Sequence, residues 1–151
     1  MKNNHIYYLH GSLFLFDNGI DSLKIRRLND NWLLDLITQQ INRSNYPLFI
    51  SEGTSESKLK QINSNQYLSY CFEKLKSDSS ENLIIYGQSL GEQDKHLAEL
   101  IDHKFKKVAI SIKTEFYDTM GYLKAERNRL ASLFNIAEIE FYNATDLFNF
   151  N

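Results

Sequence analysis

Residues 83–101 read LIIYGQSLGEQDKHLAELI, and this stretch decides the fold class. Leu83, Ile84, Ile85 and Tyr86 suit a buried β-strand, Gly87 and Gly91 permit a sharp turn, and an amphipathic helix is expected over 93–103. Strand, glycine turn and helix in that order form the opening half of a βαβ unit.

The same alternation continues downstream. Strands are expected over 107–112 and 138–143, with a helix over 115–134 between them. Strands alternating with helices of this length imply right-handed crossovers and a parallel sheet. Upstream, the apolar run 5–16 meets Asp17, Asn18 and Gly19, which tolerate positive φ, before an alternating pattern resumes over 23–28, so an N-terminal β-hairpin is expected. Asn29 or Asp30 can cap a helix carrying Trp32, Leu33, Leu36, Ile37 and Ile41, which Pro47 ends near Asn45. A short strand over 48–51 follows. After Glu52-Gly53-Thr54 a short helix should run to about Ile62, and another from Ser64 carries Tyr67, Leu68, Cys71, Phe72 and Leu75 at helical spacing. The expected class is α/β, a mostly parallel Rossmann-like sheet flanked by helices with an N-terminal hairpin.

A length of 151 residues with 42% hydrophobic content suits one core, so a single domain over 1–151 is expected. The net charge of −2, with both signs interspersed, offers no broad basic face for nucleic acid or an anionic membrane. The N-terminus lacks a signal-peptide pattern and no apolar run approaches membrane-spanning length, so a cytoplasmic protein is expected. Cys71 is the single cysteine, which excludes an internal disulfide and a cysteine-based zinc site, and its place on an apolar stripe reads as core.

Open α/β sheets bind ligands at the carboxyl ends of their strands. Two segments have that expected placement. In Tyr8-Leu9-His10-Gly11-Ser12 a histidine follows an apolar run, and Gly11 lets backbone approach a ligand closely. In the 86–94 segment Ser89 or Gly91 stands near the next helix cap, where a serine hydroxyl satisfies an orphan N–H or meets a ligand oxygen. Gly87-x-Ser89-x-Gly91 also matches the nucleophile elbow of α/β-hydrolases, with Ser89 as nucleophile. That chemistry needs a histidine delivered after the last strands, and none follows His103. His96 and Asp94 do not share a helix face and lack a third ligand, so no metal is expected. Glu52-Gly53-Thr54-Ser55 reads as a capped loop, and Arg127 as a snorkelling stem.

Three ordered blocks, YLHGSLFLF, PLFISEGTSESKLKQINSNQYLSYCFEKL and LIIYGQSLGEQDKHL, together resemble a bacterial family of unknown function whose domain looks sirtuin-like. The resemblance spans roughly residues 6 to 112. It implies a nicotinamide-dinucleotide fold of the kind seen in bacterial anti-phage proteins that hydrolyse NAD, with NAD or ADP-ribose as the ligand. It assigns His10 as the catalytic histidine, acting as general base or polarising a ribose hydroxyl, and, with Gly11, matches Gly87, Ser89 and Asp94 to the block contacting the dinucleotide's ribose and phosphate side. A carboxylate beside a pyrophosphate repels it, so Asp94 should face a sugar or hold the loop. Phe14 and Gln88 stand where the family often has histidine, and the family's N-terminal Gly-rich strand and Asn-Tyr-Asp segment have no counterpart here. Non-catalytic interaction is the alternative function. An unpaired sheet edge where those strands belong implies a homodimer or a partner supplying them.

Overall fold

The computed structural model describes residues 5–17, 22–27, 31–113, 120–135 and 138–145. The chain divides into two compact units, Met1–Leu75 and Lys76–Asn151, each with its own three-stranded sheet.

In the first unit β1 (Gly11–Asp17) is central, with β2 (Ser22–Lys24) and β3 (Pro47–Phe49) on either side, both antiparallel to it. Phe16 pairs with Leu23 across the hairpin, as the alternating pattern predicts. The hairpin's turn at Asn18 and Gly19, and the helix cap at Asn29 or Asp30, lie outside the described residues. The first strand starts later than the apolar run suggests. The Gly11 N–H donates to the Tyr8 carbonyl oxygen at 3.0 Å, closing a turn that keeps residues 5–8 out of the ladder.

Helix α1 (Leu33–Asn42) buries only Ile37 of its expected apolar face. It ends short of Asn45 because Ser44 adopts φ +62 and the Asn45 N–H returns to the Gln40 carbonyl, which frees the chain to enter Pro47 extended. Helix α2 (Ser55–Ser64) is capped by Thr54, whose Oγ1 accepts from the Ser57 N–H at 3.2 Å. The 52–55 loop is thus a capped helix start. In α3 (Gln66–Ser77) the Asn65 Oδ1 accepts from the Leu68 N–H, and Leu68, Cys71 and Phe72 are buried as their spacing predicts.

The second unit is a βαβαβ run. Strands β4 (Asn82–Ile85), β5 (Lys107–Ile112) and β6 (Glu138–Asn143) form a parallel sheet in sequential order, with Ile85 opposite Ile110 and Ile112 opposite Asn143. Helix α4 (Lys95–Lys104) follows β4, and α5 (Met120–Ala131) follows β5. The first part of the expected 115–134 helix lies outside the described residues. Side chains alternate across a strand, so Val108, Ile110 and Ile112 share one face of β5, and all three are buried. Each such aliphatic side chain contributes about 1.5–3 kcal/mol on burial. At the amino end of the sheet, Lys107 Nζ meets Glu138 at 2.6 Å and Glu140 at 2.9 Å. Those carboxylates hold the lysine well above its ordinary pKa, but the group is exposed and its contribution to stability is small.

Among the described residues no helix is long and apolar enough to cross a membrane.

Candidate functional site

Parallel strands deliver their carboxyl ends to one edge of the sheet, and a cavity of about 480 Å³ lies at that edge in the second unit. The residues leaving β4 (Tyr86, Gly87, Gln88 and Ser89), those at the end of β5 (Ser111, Ile112 and Lys113) and those leaving β6 (Ala144 and Thr145) line it. Helix α5 adds Tyr122, Glu126 and Leu130. The volume falls within the usual range for small-molecule sites.

The turn after β4 is held by specific bonds. Gly87 takes φ +69, a region that L side chains rarely adopt, and its N–H donates to Ser111 Oγ at 3.0 Å. Among the described residues, chain neighbours aside, no atom lies within 4 Å of the place a Cβ would occupy there, so the glycine serves backbone conformation and leaves open space. Three residues later the chain is left-handed again at Leu90, φ +48, whose side chain is buried. A non-glycine residue in this region stores roughly 1–3 kcal/mol unless its surroundings fix it. Arg129 of α5 supplies that restraint, donating from Nη2 to the Ser89 carbonyl oxygen at 2.6 Å and from Nη1 to the Leu90 carbonyl oxygen at 3.2 Å.

Arg129 is itself fixed by Glu126, one turn earlier on α5. Nε donates to Oε2 at 2.9 Å and Nη2 to Oε1 at 2.7 Å, a bidentate fork. These bonds hold the Glu126 carboxyl below the ordinary carboxylate range, with burial opposing, and raise the arginine further. On the sheet side, Tyr142 Oη donates to the Ile85 carbonyl oxygen at 3.1 Å, securing the end of β4.

The residues singled out in the sequence divide between the two units. His10 and Gly11 belong to the first. His10 is half-buried in the turn before β1, so it stands at a strand's amino end, and its carbonyl oxygen accepts from the Ile50 N–H at 2.8 Å. Gly11, at φ +74, is approached by the Leu48 carbonyl of β3, with which any Cβ would collide. Gly87 and Ser89 line the cavity of the second unit. Asp94 is buried in the single 3-10 turn that precedes α4, and its Oδ2 accepts from Gln88 Nε2 at 2.9 Å. Of the two roles its charge allows, this bond performs the second, holding the loop. The left-handed residues of the Gly87-x-Ser89-x-Gly91 turn are Gly87 and Leu90 and not Ser89, whereas an elbow strains the nucleophile itself. His96 is buried within α4 and His103 is exposed near its end. The Arg127 guanidinium carbon lies 5.8 Å from the Phe141 ring centroid, a cation–π contact. Among the described residues no group of three or more His, Cys, Asp or Glu side chains is arranged to hold a metal.

Sequence reasoning missed Ser111, Lys113, Glu126 and Arg129. Ser111 and Lys113 were within reach, since they stand at the carboxyl end of a strand whose bounds were predicted correctly. Glu126 and Arg129 carried no such signal, because a Glu and an Arg three apart on a helix most often form a solvated surface pair.

The chain belongs to the family described as Domain of unknown function (DUF4917), which it matches over residues 1–147. No curated protein and no solved structure matches it.

Proposed function

We propose, from membership of a family whose function is open, that this is a sirtuin-like, Rossmann-like domain that binds NAD or ADP-ribose in the cavity at the carboxyl ends of β4, β5 and β6. The observation that carries the reading is the position of that cavity against the Gly87 turn, where parallel sheets receive nucleotides. The lining chemistry supports it. Tyr86 and Tyr122 are partly exposed aromatics suited to stacking on a planar base. Ser89, Ser111 and Thr145 offer hydroxyls, and Lys113 offers a cation for phosphate.

The resemblance also implies hydrolysis of the nicotinamide–ribose bond with His10 as base, and cytoplasmic defence against phage as the setting. Binding without chemistry is the second reading. It is favoured by two observations on residues the resemblance assigns to the ligand: the Asp94 carboxylate is engaged by Gln88, and the close approach at Gly11 is taken by Leu48. The proposal also includes self-association as a homodimer, since Trp32, Leu34 and Tyr46 are each about 70% exposed.

Calorimetric titration of the full chain with NAD and with ADP-ribose tests the ligand, and nicotinamide release tests the chemistry. Saturable binding of either nucleotide supports the proposal, and no heat at millimolar ligand from a folded sample removes it. Where turnover accompanies binding, His10→Ala is expected to abolish release while sparing affinity. Turnover unchanged by that substitution reassigns the base. Sedimentation equilibrium reads the dimer.

A further inference from the structure

A carboxylate in the wall of a phosphate-binding cavity repels the ligand unless it faces a part that donates hydrogen bonds. Glu126 is such a carboxylate, with its side chain 21% exposed. Arg129 takes one acceptor position on each of its oxygens, and a carboxylate offers about four. Acceptor capacity therefore remains on the cavity wall.

The arginine beside it is not a phosphate clamp. Arg129 directs N–H groups to both Glu126 oxygens and to the Ser89 and Leu90 carbonyls, four bonds from a group with about five donors. Its fork is committed to the protein, and among the described lining residues the cation is Lys113 at the end of β5. The α5 wall thus presents an acceptor of fixed orientation, while β5 presents a charge suited to an anion.

We infer that Glu126 is the acceptor for the vicinal diol of the ligand's ribose, with Arg129 as the positioning residue that fixes the carboxylate and the Ser89–Leu90 turn together. This rests on the nucleotide reading of the cavity and narrows it to ligands that carry an unmodified ribose diol and a phosphate. The ribose-facing carboxylate that the resemblance places at Asp94 is, on this inference, supplied by α5.

The test begins with the intact chain and ADP-ribose, then compares ribose 5-phosphate with 2-deoxyribose 5-phosphate by NMR titration, so one hydroxyl separates the probes. A charge-assisted hydrogen bond corresponds to about a tenfold or greater difference in affinity, so the deoxy sugar is expected to bind at least about tenfold more weakly. Glu126→Gln should reduce that ratio to about threefold or less, because a neutral amide accepts more weakly. Arg129→Lys keeps the charge and loses the fork, and the ratio should fall to an intermediate value. Equal affinity of the two sugars for the unmodified chain overturns the inference without any substitution, as does a ratio that Glu126→Gln leaves unchanged. A ratio unchanged in Arg129→Lys removes the positioning role. In all three cases retained binding of ADP-ribose leaves the nucleotide reading standing, whereas absence of binding by ADP-ribose and ribose 5-phosphate removes both.

Discussion

Two glycines in this molecule share nearly the same positive φ and serve opposite ends. Gly11, at φ +74, opens β1 beneath the Leu48 carbonyl, and Gly87, at φ +69, leaves β4 with nothing within 4 Å of where a side chain would begin. The first is a packing glycine: a neighbouring strand occupies the space its missing side chain leaves. The second is a turn glycine beside a cavity, where the missing side chain keeps space free. Sequence gives both the same appearance, an apolar run followed by a glycine, and only the direction of the strand separates them. A turn at the amino end of an antiparallel strand and a turn at the carboxyl end of a parallel strand have different prospects as ligand sites.

Substituting alanine at each glycine is the sharpest way to break this contrast. Gly11→Ala sets a methyl against main chain that no rotamer change relieves, on top of the strain of positive φ, and a loss of roughly 3 kcal/mol is expected in urea denaturation. Gly87→Ala meets only the conformational term, roughly 1–2 kcal/mol, and should instead weaken ADP-ribose binding in titration. Equal losses of stability would end the distinction. Arg129→Ala frees the Ser89 and Leu90 carbonyls and leaves Glu126 unpaired, yet the pair is partly exposed, so about 1–2 kcal/mol is expected, with affinity for ADP-ribose lowered about tenfold.

Smaller effects follow from titration. Arg129 depresses the Glu126 pKa in the folded chain, so the stability it contributes is present above its ordinary value of 4.5 and is lost as pH falls below it. Glu126→Gln should flatten the acid limb of a stability profile taken from pH 6 to about pH 3. In the first unit, burial and the neighbouring Cys71 thiol push Tyr67 up to about 12 from 10.0. Its contribution is therefore present below pH 10 and lost as pH rises through about 12, and Tyr67→Phe should flatten the alkaline limb alone. The acid change belongs to the cavity unit and the alkaline change to the other.

Much of the second unit was legible in the sequence. The bounds of β5 and β6 are as their apolar patterns predict, and the glycine turn after β4 falls where the βαβ alternation requires. The first unit was less so. Residues 5–8 are apolar enough for a strand, but the turn closed between Tyr8 and Gly11 overrides their propensity. The antiparallel pairing of β3 with β1 was equally hidden, since a three-residue strand does not announce its partner. At the cavity, Gly87 and Ser89 were found because a turn is local. Glu126 and Arg129 were not, because their meaning depends on carbonyls some forty residues away in the chain.

Backbone amide shifts recorded while ADP-ribose is added test the central claim most directly. The account predicts saturable changes concentrated at Gly87, Gln88, Ser89, Ser111 and Lys113. Changes confined to the first unit, or none at millimolar ligand, would contradict it.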